Sequence, residues 1–91
     1  MRSILSTIKH ILRKHGLTEQ LDEIEIIGQY SKIFPDLISL HSRPLKLENG
    51  ILFVKVDNGV IRHEMKLQET AMIQSINDKI KKNAVRKIRL H

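Results

Sequence analysis

The chain has no cysteine and no tryptophan, and its large aromatic residues are limited to Tyr30, Phe34 and Phe53. Without cysteine it can form neither a disulfide nor a thiolate nucleophile, which is typical of a reducing compartment. Because aromatic residues are so scarce, the core of this 91-residue chain must be built mainly from aliphatic side chains. The length predicts one small domain that spans residues 1–91.

Long hydrophobic runs are also missing. No apolar run approaches the roughly 20 residues that a membrane-spanning helix needs. Residues 1–10 lack the continuous apolar segment of a secretion signal. We therefore expect a soluble, cytoplasmic protein without a membrane partner.

The sequence lacks the patterns of common active sites. It contains no glycine-rich phosphate-binding loop, and its serines have no nucleophile-elbow context. No two histidines are four residues apart and no cysteine accompanies them, so we expect no metal site. The histidines are His10, His15, His41, His63 and His91. We predict no enzyme, no catalytic residue, no cofactor and no small-molecule substrate.

Negative charge is scarce, and both signs are unevenly distributed. The net charge is +6 and the isoelectric point is near 9.9. Residues 1–16 carry four cations and no acid, residues 19–25 four acids and no cation, and residues 79–91 six cations and no acid. A basic surface favours a polyanionic partner, because each phosphate contact releases counterions. The alternative is a charged surface that only keeps a small protein in solution.

Two segments in the first half have the apolar spacing of amphipathic helices. Residues 2–15 repeat isoleucine and leucine every three or four positions, and Gly16 is placed to end that helix. Thr18 is suited to cap a short turn, after which helical spacing returns over residues 26–40. Pro35 lies inside that second run, so we expect the helix to break there.

Asn49 and Gly50 predict a β-hairpin, because both can adopt the positive φ that a two-residue type I′ turn requires. We expect strands over residues 44–48 and 51–56. The facing pairs are then Glu48 and Ile51, Leu47 and Leu52, Lys46 and Phe53, and Leu45 and Val54. One face is aliphatic, with Leu45, Leu47, Leu52, Val54 and Val56. The other face carries Lys46, Glu48, Ile51, Phe53 and Lys55.

The second half predicts a long helix and a final strand. Asp57 and Asn58 are helix-start residues, and apolar spacing then runs to about Lys82. Residues 85–90 predict a strand whose aliphatic residues face inward and whose cations face outward. The order is α-α-β-β-α-β, an α+β fold with helices on one face of a three-stranded sheet.

The outer face of this sheet is the candidate binding site, because it places one aromatic ring among cations. Such a surface can stack a base and hold phosphates. The candidate nucleic-acid-binding residues are Lys46, Phe53, Lys55, Lys79, Lys81, Lys82, Arg86, Lys87 and Arg89. The alternative is that another segment, or a second copy of the chain, covers Phe53 and its neighbour Ile51.

Five short motifs follow one another in a fixed order: His41–Pro44, Gly50–Asp57, Val60 with Glu64–Met65, Ile76–Asn77, and Val85–Leu90. The first two read His-x-x-Pro and Gly-x-Leu-x-Val-x-Val-Asp, the third contains an acid followed by an apolar residue, and the last is a short basic strand. With the opening helix that ends at Gly16, they resemble the DciA-like family over essentially the whole chain. The resemblance rests on the order and spacing of these motifs.

The resemblance implies a KH-like domain, similar to the N-terminal domain of the initiator DnaA. Members of the family are bacterial loaders or operators of the replicative, DnaB-type helicase. The implied partners are therefore that helicase and nucleic acid, which includes single- or double-stranded DNA and RNA. Two other functions stay open: a general RNA-binding module, and a protein-interaction domain that does not bind nucleic acid.

The chain departs from the family pattern at three positions. Tyr30 and Ile61 stand where tryptophan is usual, and Pro35 stands where glycine is usual. Tyr30 lies on the apolar stripe of its helix, so we expect a largely buried ring whose hydroxyl needs a partner. The usual Gly-x-x-Gly loop of KH domains is also missing, so RNA clamping of that type is not expected.

Overall fold

The computed structural model describes residues 3–91, which form five helices and three strands. The helices are α1 (Ile4–Lys14), α2 (Thr18–Ile33), α3 (Leu37–His41), α4 (Gly59–Leu67) and α5 (Glu69–Ile80), and the strands are β1 (Ser42–Glu48), β2 (Ile51–Val56) and β3 (Lys87–Leu90). The strands form one sheet in the order β1-β2-β3, with β2 antiparallel to β1 and parallel to β3. The predicted α+β fold is confirmed, and it is consistent with a small KH-like domain.

The first helix forms where the apolar spacing predicts it. Ser3 caps its start, because the Ser3 hydroxyl accepts a hydrogen bond from the Ser6 amide at 3.1 Å. Gly16 follows the helix with φ +72°, a conformation that glycine adopts at little cost, and so ends it as predicted. The prediction included Arg2, which lies outside the described residues.

The predicted break beside Pro35 is confirmed, because α2 ends at Ile33 and α3 begins at Leu37. Asp36 caps α3 by accepting a hydrogen bond from the Ile38 amide at 2.9 Å. The short separate turn predicted at Thr18 is wrong, since α2 runs without interruption from that residue. Tertiary contacts of its first two turns, described below, hold this acidic segment in the helix.

The hairpin register is confirmed next to the turn and wrong farther away. Leu47 faces Leu52 as predicted, but Val54 faces Pro44 instead of Leu45. Proline has no amide proton to give to the ladder and is found in sheets mainly at edges and bulges. The strand therefore bulges at Leu45, whose side chain is 43% exposed instead of buried in the aliphatic face.

The final strand pairs in parallel with β2, and Leu52 faces Ile88. Its predicted alternation is confirmed, because Ile88 is buried while Lys87 and Arg89 are exposed. The strand begins at Lys87, two residues later than predicted. Val85 is instead anchored before it, because the Asn77 side chain bonds both the amide and the carbonyl of Val85.

The predicted single helix over residues 57–82 is wrong, because the chain forms two helices that meet at Gln68. Asn58 caps the first one as predicted, accepting hydrogen bonds from the amides of Val60 and Ile61. Gln68 leaves helical geometry, with φ −102° and ψ 15°. The bend lets α4 pack on β2 while α5 packs on α2 and β3, which one straight helix cannot do.

The core lies between the inner face of the sheet and the helices α2, α4 and α5. Its largest fully buried side chains are Ile26, Leu52, Val54, Met65 and Ile76. Tyr30 is buried as predicted, with 4% of its surface exposed. Its hydroxyl oxygen lies 2.6 Å from the Ser42 hydroxyl, and the Ser42 hydroxyl donates to the Ile38 carbonyl. Both polar groups are therefore satisfied inside the protein.

Candidate nucleic-acid interface

The registers of the three strands arrange the outer face of the sheet in three rows. The amide of His91 donates to Val54 and its carbonyl accepts from Val56, so the pairing of β3 with β2 continues one residue past Leu90. Each row contains one residue from each strand. The rows are Arg43, Lys55 and His91; Lys46, Phe53 and Arg89; and Glu48, Ile51 and Lys87.

Phe53 stands at the centre of this face, surrounded by positive charge. The Lys46 ammonium nitrogen lies 4.8 Å from the centre of the Phe53 ring, and the Arg89 guanidinium carbon lies 5.6 Å from it. The His91 ring stacks on Phe53 with the ring centres 5.7 Å apart and 14° between the planes. Cations at these distances are attracted to the ring, so Phe53 holds them in place around itself.

Among residues 3–91, those on the outer face include five permanent cations and a single acid, Glu48. The Glu48 carboxylate pairs with the Lys46 ammonium at 3.1 Å, and both side chains are more than half exposed. An exposed ion pair of this kind holds its partners weakly, so a phosphate can replace the carboxylate. The face therefore remains strongly positive.

None of the four acids of residues 19–25 pairs with a cation of the outer face, because all four have partners elsewhere in the fold. Glu19 accepts hydrogen bonds from the amides of Asn49 and Gly50, each at 3.0 Å. Glu23 accepts one from the Leu47 amide at 3.0 Å. These carboxylates therefore satisfy backbone groups on the turn and on the free edge of β1.

The other two acids of that run form ion pairs. Asp22, largely buried, pairs with Lys82 at 3.0 Å and thereby joins α2 to the end of α5. Glu25 pairs with Lys9 at 3.2 Å and joins α2 to α1. The acids of residues 19–25 thus have structural roles within the fold. The cations on the outer face of the sheet are not paired with them and can contact a ligand.

The sequence-predicted site residues fall into two groups. Five share the outer face: Lys46, Phe53, Lys55, Lys87 and Arg89. Arg86 borders that face, because its Nε donates to the Asn49 carbonyl at 3.0 Å and its side chain packs on Gly50. Lys79, Lys81 and Lys82 lie at the end of α5, where Lys82 is paired with Asp22. Their role in binding nucleic acid stays a prediction.

Sequence reasoning missed two members of the outer face, Arg43 and His91. Regular alternation from Lys46 would place Arg43 on the inner face, but the bulge adds one residue and turns it outward opposite Lys55. The signal for this was Pro44, because proline inside a strand predicts an irregular ladder. His91 was missed because the strand was expected to end at Leu90.

The histidines form no metal site in the part of the chain that the structure describes, since no three His, Asp or Glu side chains come together there. His41 ends α3 and is joined by two hydrogen bonds to Asp57, the residue after β2. Its Nδ1 lies 2.9 Å from the Asp57 carboxylate, and its carbonyl accepts from the Asp57 amide at 2.9 Å. This pair braces the end of the sheet next to Arg43.

No helix within residues 3–91 has the length and hydrophobicity needed to cross a bilayer.

Comparison with known families gives one match. The family model described as "Dna[CI] antecedent, DciA" matches residues 3–90, nearly the whole chain. A search of curated proteins finds no match. The family match confirms the resemblance drawn from the sequence motifs. Of the two positions where the resemblance implies tryptophan, Tyr30 is buried and Ile61 is partly buried against the core.

Proposed function

Because this chain belongs to the DciA family, which is associated with loading of the replicative helicase, we propose that it is a non-enzymatic accessory domain of bacterial DNA replication. In this proposal it acts in the cytoplasm, binds nucleic acid on the outer face of its sheet, and docks on the replicative helicase. The observation that carries the nucleic-acid part is the ring of Phe53 among the cations of that face.

The geometry favours a single strand over a duplex. An unpaired base has a free face that can stack on an aromatic ring, and base stacking of this kind contributes about 1–3 kcal/mol. Bases inside a duplex are already stacked on each other. The cations on both sides of Phe53 would hold the neighbouring phosphates. The chemistry of this face suits both DNA and RNA, so a general RNA-binding role is the second candidate.

Salt dependence of binding tests the sheet face. Binding of a fluorescent single-stranded oligonucleotide is measured by anisotropy over a series of salt concentrations. The double change Lys87→Ala with Arg89→Ala should reduce the slope of log K against log salt by about 1–2, because two phosphate contacts are lost. The matched control is Lys14→Ala with Lys32→Ala, which removes the same charge from the helices.

Equal slopes for the wild type and the sheet variant would place the contacts elsewhere and contradict the assignment. An oligoribonucleotide of the same sequence is the comparison for the second candidate. Clear preference for that RNA over the DNA would favour the general RNA-binding role.

For the helicase we propose docking through α1. No residue of Ile4–Lys14 is buried, and its aliphatic stripe stays open to solvent, with Ile4 82% exposed. The stripe continues through Ile8 and Ile11, and exposed apolar patches of this kind mark interaction surfaces. The helix packs on α2, and α2 covers the inner side of the sheet, opposite the face that carries Phe53. Nucleic acid and helicase would therefore bind on separate surfaces.

Binding to the purified replicative helicase tests this docking surface. Ile8→Asp should weaken the complex at least tenfold, because it places a charge in the apolar stripe. His10→Asp, on the polar side of the same helix, introduces the same charge and should have little effect. Equal affinity of Ile8→Asp and wild type would contradict the α1 surface. If the wild-type chain does not bind the helicase at all, the docking proposal is wrong.

A further inference from the structure

Strand β3 is an edge of the sheet, and part of its backbone points away from β2. The amides of Lys87 and His91 donate to carbonyls of β2 and its turn, at Gly50 and Val54. Backbone groups alternate along a strand, so those of Ile88 and Leu90 point toward the open edge. An edge of this kind can pair with another strand.

Glu69 covers part of that edge. Its carboxylate oxygen accepts a hydrogen bond from the Ile88 amide at 3.0 Å. In a sheet this position belongs to the carbonyl oxygen of a neighbouring strand. The side chain from α5 therefore imitates one hydrogen bond of a fourth strand, and Leu90 has the next outward-pointing backbone groups.

A groove of about 430 Å³ runs along the same edge, between β3 and the two helices α4 and α5. Met65, Ile88 and Leu90 give it an apolar lining. On α4, Arg62 and Lys66 add positive charge to the lining, against Glu69 as its acid. The groove thus combines a hydrogen-bonding edge, an apolar wall and a surplus of positive charge.

We propose that this groove binds an extended, acidic segment of a partner protein, which adds to the sheet as a fourth strand beside β3. Main-chain hydrogen bonds to the edge would supply affinity, and alternate side chains of the segment would meet the apolar lining. The surplus of cations selects acidic residues on the segment. The proposal goes beyond helicase docking on α1, because it concerns a different surface and a different mode of recognition.

Two other occupants fit the groove less well. A second copy of the chain would bring the same cations together across the new interface, which is unfavourable. A nucleic acid would gain from the cations, but the apolar lining offers its sugar-phosphate backbone no partner. An acidic extended peptide uses the edge, the lining and the charge together.

The incoming strand then displaces the Glu69 carboxylate from the Ile88 amide. Glu69 competes for the Ile88 amide, and its negative charge opposes an acidic segment. Removing it should therefore tighten peptide binding even though it removes a bond from the folded domain. A purely structural Glu69 would have the opposite effect on binding, because its loss would loosen the edge.

The test uses a short, blocked, fluorescent peptide that alternates glutamate and valine, with a lysine–valine peptide as the control probe. We expect the wild type to bind the acidic peptide and not the basic one. Glu69→Ala should bind the acidic peptide about tenfold more tightly, because the Glu69 carboxylate no longer competes with the peptide for the Ile88 amide. Glu69→Gln keeps an acceptor for the Ile88 amide, so it serves as the better-folded variant, with a smaller gain. Glu64→Gln, with the same charge change on exposed α4, should match the wild type.

Amide hydrogen exchange locates the peptide. The acidic peptide should slow exchange of the Leu90 amide, which points to the open edge. Three results would overturn the proposal: no binding of the acidic peptide to wild type and Glu69→Ala, weaker binding to Glu69→Ala, or an unprotected Leu90 amide in the complex. Protection of Leu90 that grows with protein concentration alone would assign the edge to a second copy and also overturn it.

Discussion

Replacing Leu52 by alanine should destabilise the domain much more than replacing Leu45, although a regular hairpin would bury both. Leu52 is fully buried at the centre of the sheet, whereas the bulge leaves Leu45 43% exposed. Truncation of a buried leucine costs about 2–5 kcal/mol, since it loses apolar burial and leaves a cavity. A half-exposed leucine has less burial to lose and leaves no closed cavity, so about 1 kcal/mol or less is expected.

The difference is large on the scale of the whole domain. A chain of 91 residues has a total stability of about 5–14 kcal/mol. Leu52→Ala should therefore remove a large part of it, while Leu45→Ala leaves most of it.

The assay is urea unfolding followed by far-ultraviolet circular dichroism. The midpoint should fall strongly for Leu52→Ala and slightly for Leu45→Ala, with the slope m unchanged in both. If the two variants lose equal stability, Leu45 is buried as in a regular hairpin and the bulge is wrong. If Leu45→Ala loses more, the assignment of the inner face itself is refuted.

The remaining predictions concern Tyr30 and two glycines, Gly28 and Gly50. Burial raises the pKa of Tyr30 above 10.0, and the charge of Asp36 raises it further. Because the chain has no other tyrosine and no tryptophan, a spectrophotometric titration at 295 nm should show a midpoint that drops when the protein is unfolded in urea. Tyr30 ionises at a lower pH in the unfolded chain than in the folded protein. Its contribution to stability is therefore full below pH 10 and falls as the pH rises through the pKa of the folded state. Urea melts of Tyr30→Phe over the same pH range should not show this decline. At neutral pH, Tyr30→Phe should lower the free energy of unfolding by about 1 kcal/mol, because one buried hydrogen bond is removed. Its affinity for the helicase should be unchanged. A weaker complex with normal melting would instead give Tyr30 a docking role. Gly50→Ala should lower the free energy of unfolding by about 1–2 kcal/mol, because Gly50 has φ +76° and the new methyl group would lie 2.9 Å from the Arg86 side chain. Gly28→Ala, in open space within α2, should raise the thermal midpoint slightly.

Local signals predicted the elements whose causes are local. The Asn49-Gly50 turn set the register of its nearest pairs, and the Asn58 cap and the Pro35 break lie where the residues require them. These features depend on backbone conformations of a few adjacent residues. These features can therefore be predicted from a single sequence.

The remaining features depend on contacts between distant segments. The acidic start of α2 is helical because Glu19 and Glu23 bind the backbone of the hairpin, more than twenty residues away along the chain. No glycine or proline near Gln68 predicts the bend between α4 and α5. The bend results from the packing of the two helices on different elements. Arg43 joins the site because Pro44 disturbs the ladder, and this consequence appears only once the strands are paired.

A titration of isotopically labelled protein with a short single-stranded DNA, followed by two-dimensional NMR, locates the nucleic-acid site on the domain directly. We expect the largest shift changes at Phe53, Arg89 and His91, on the outer face of the sheet, and only small changes on α1. Changes confined to the end of α5, or to α1, would contradict the assignment of the nucleic-acid site to the sheet.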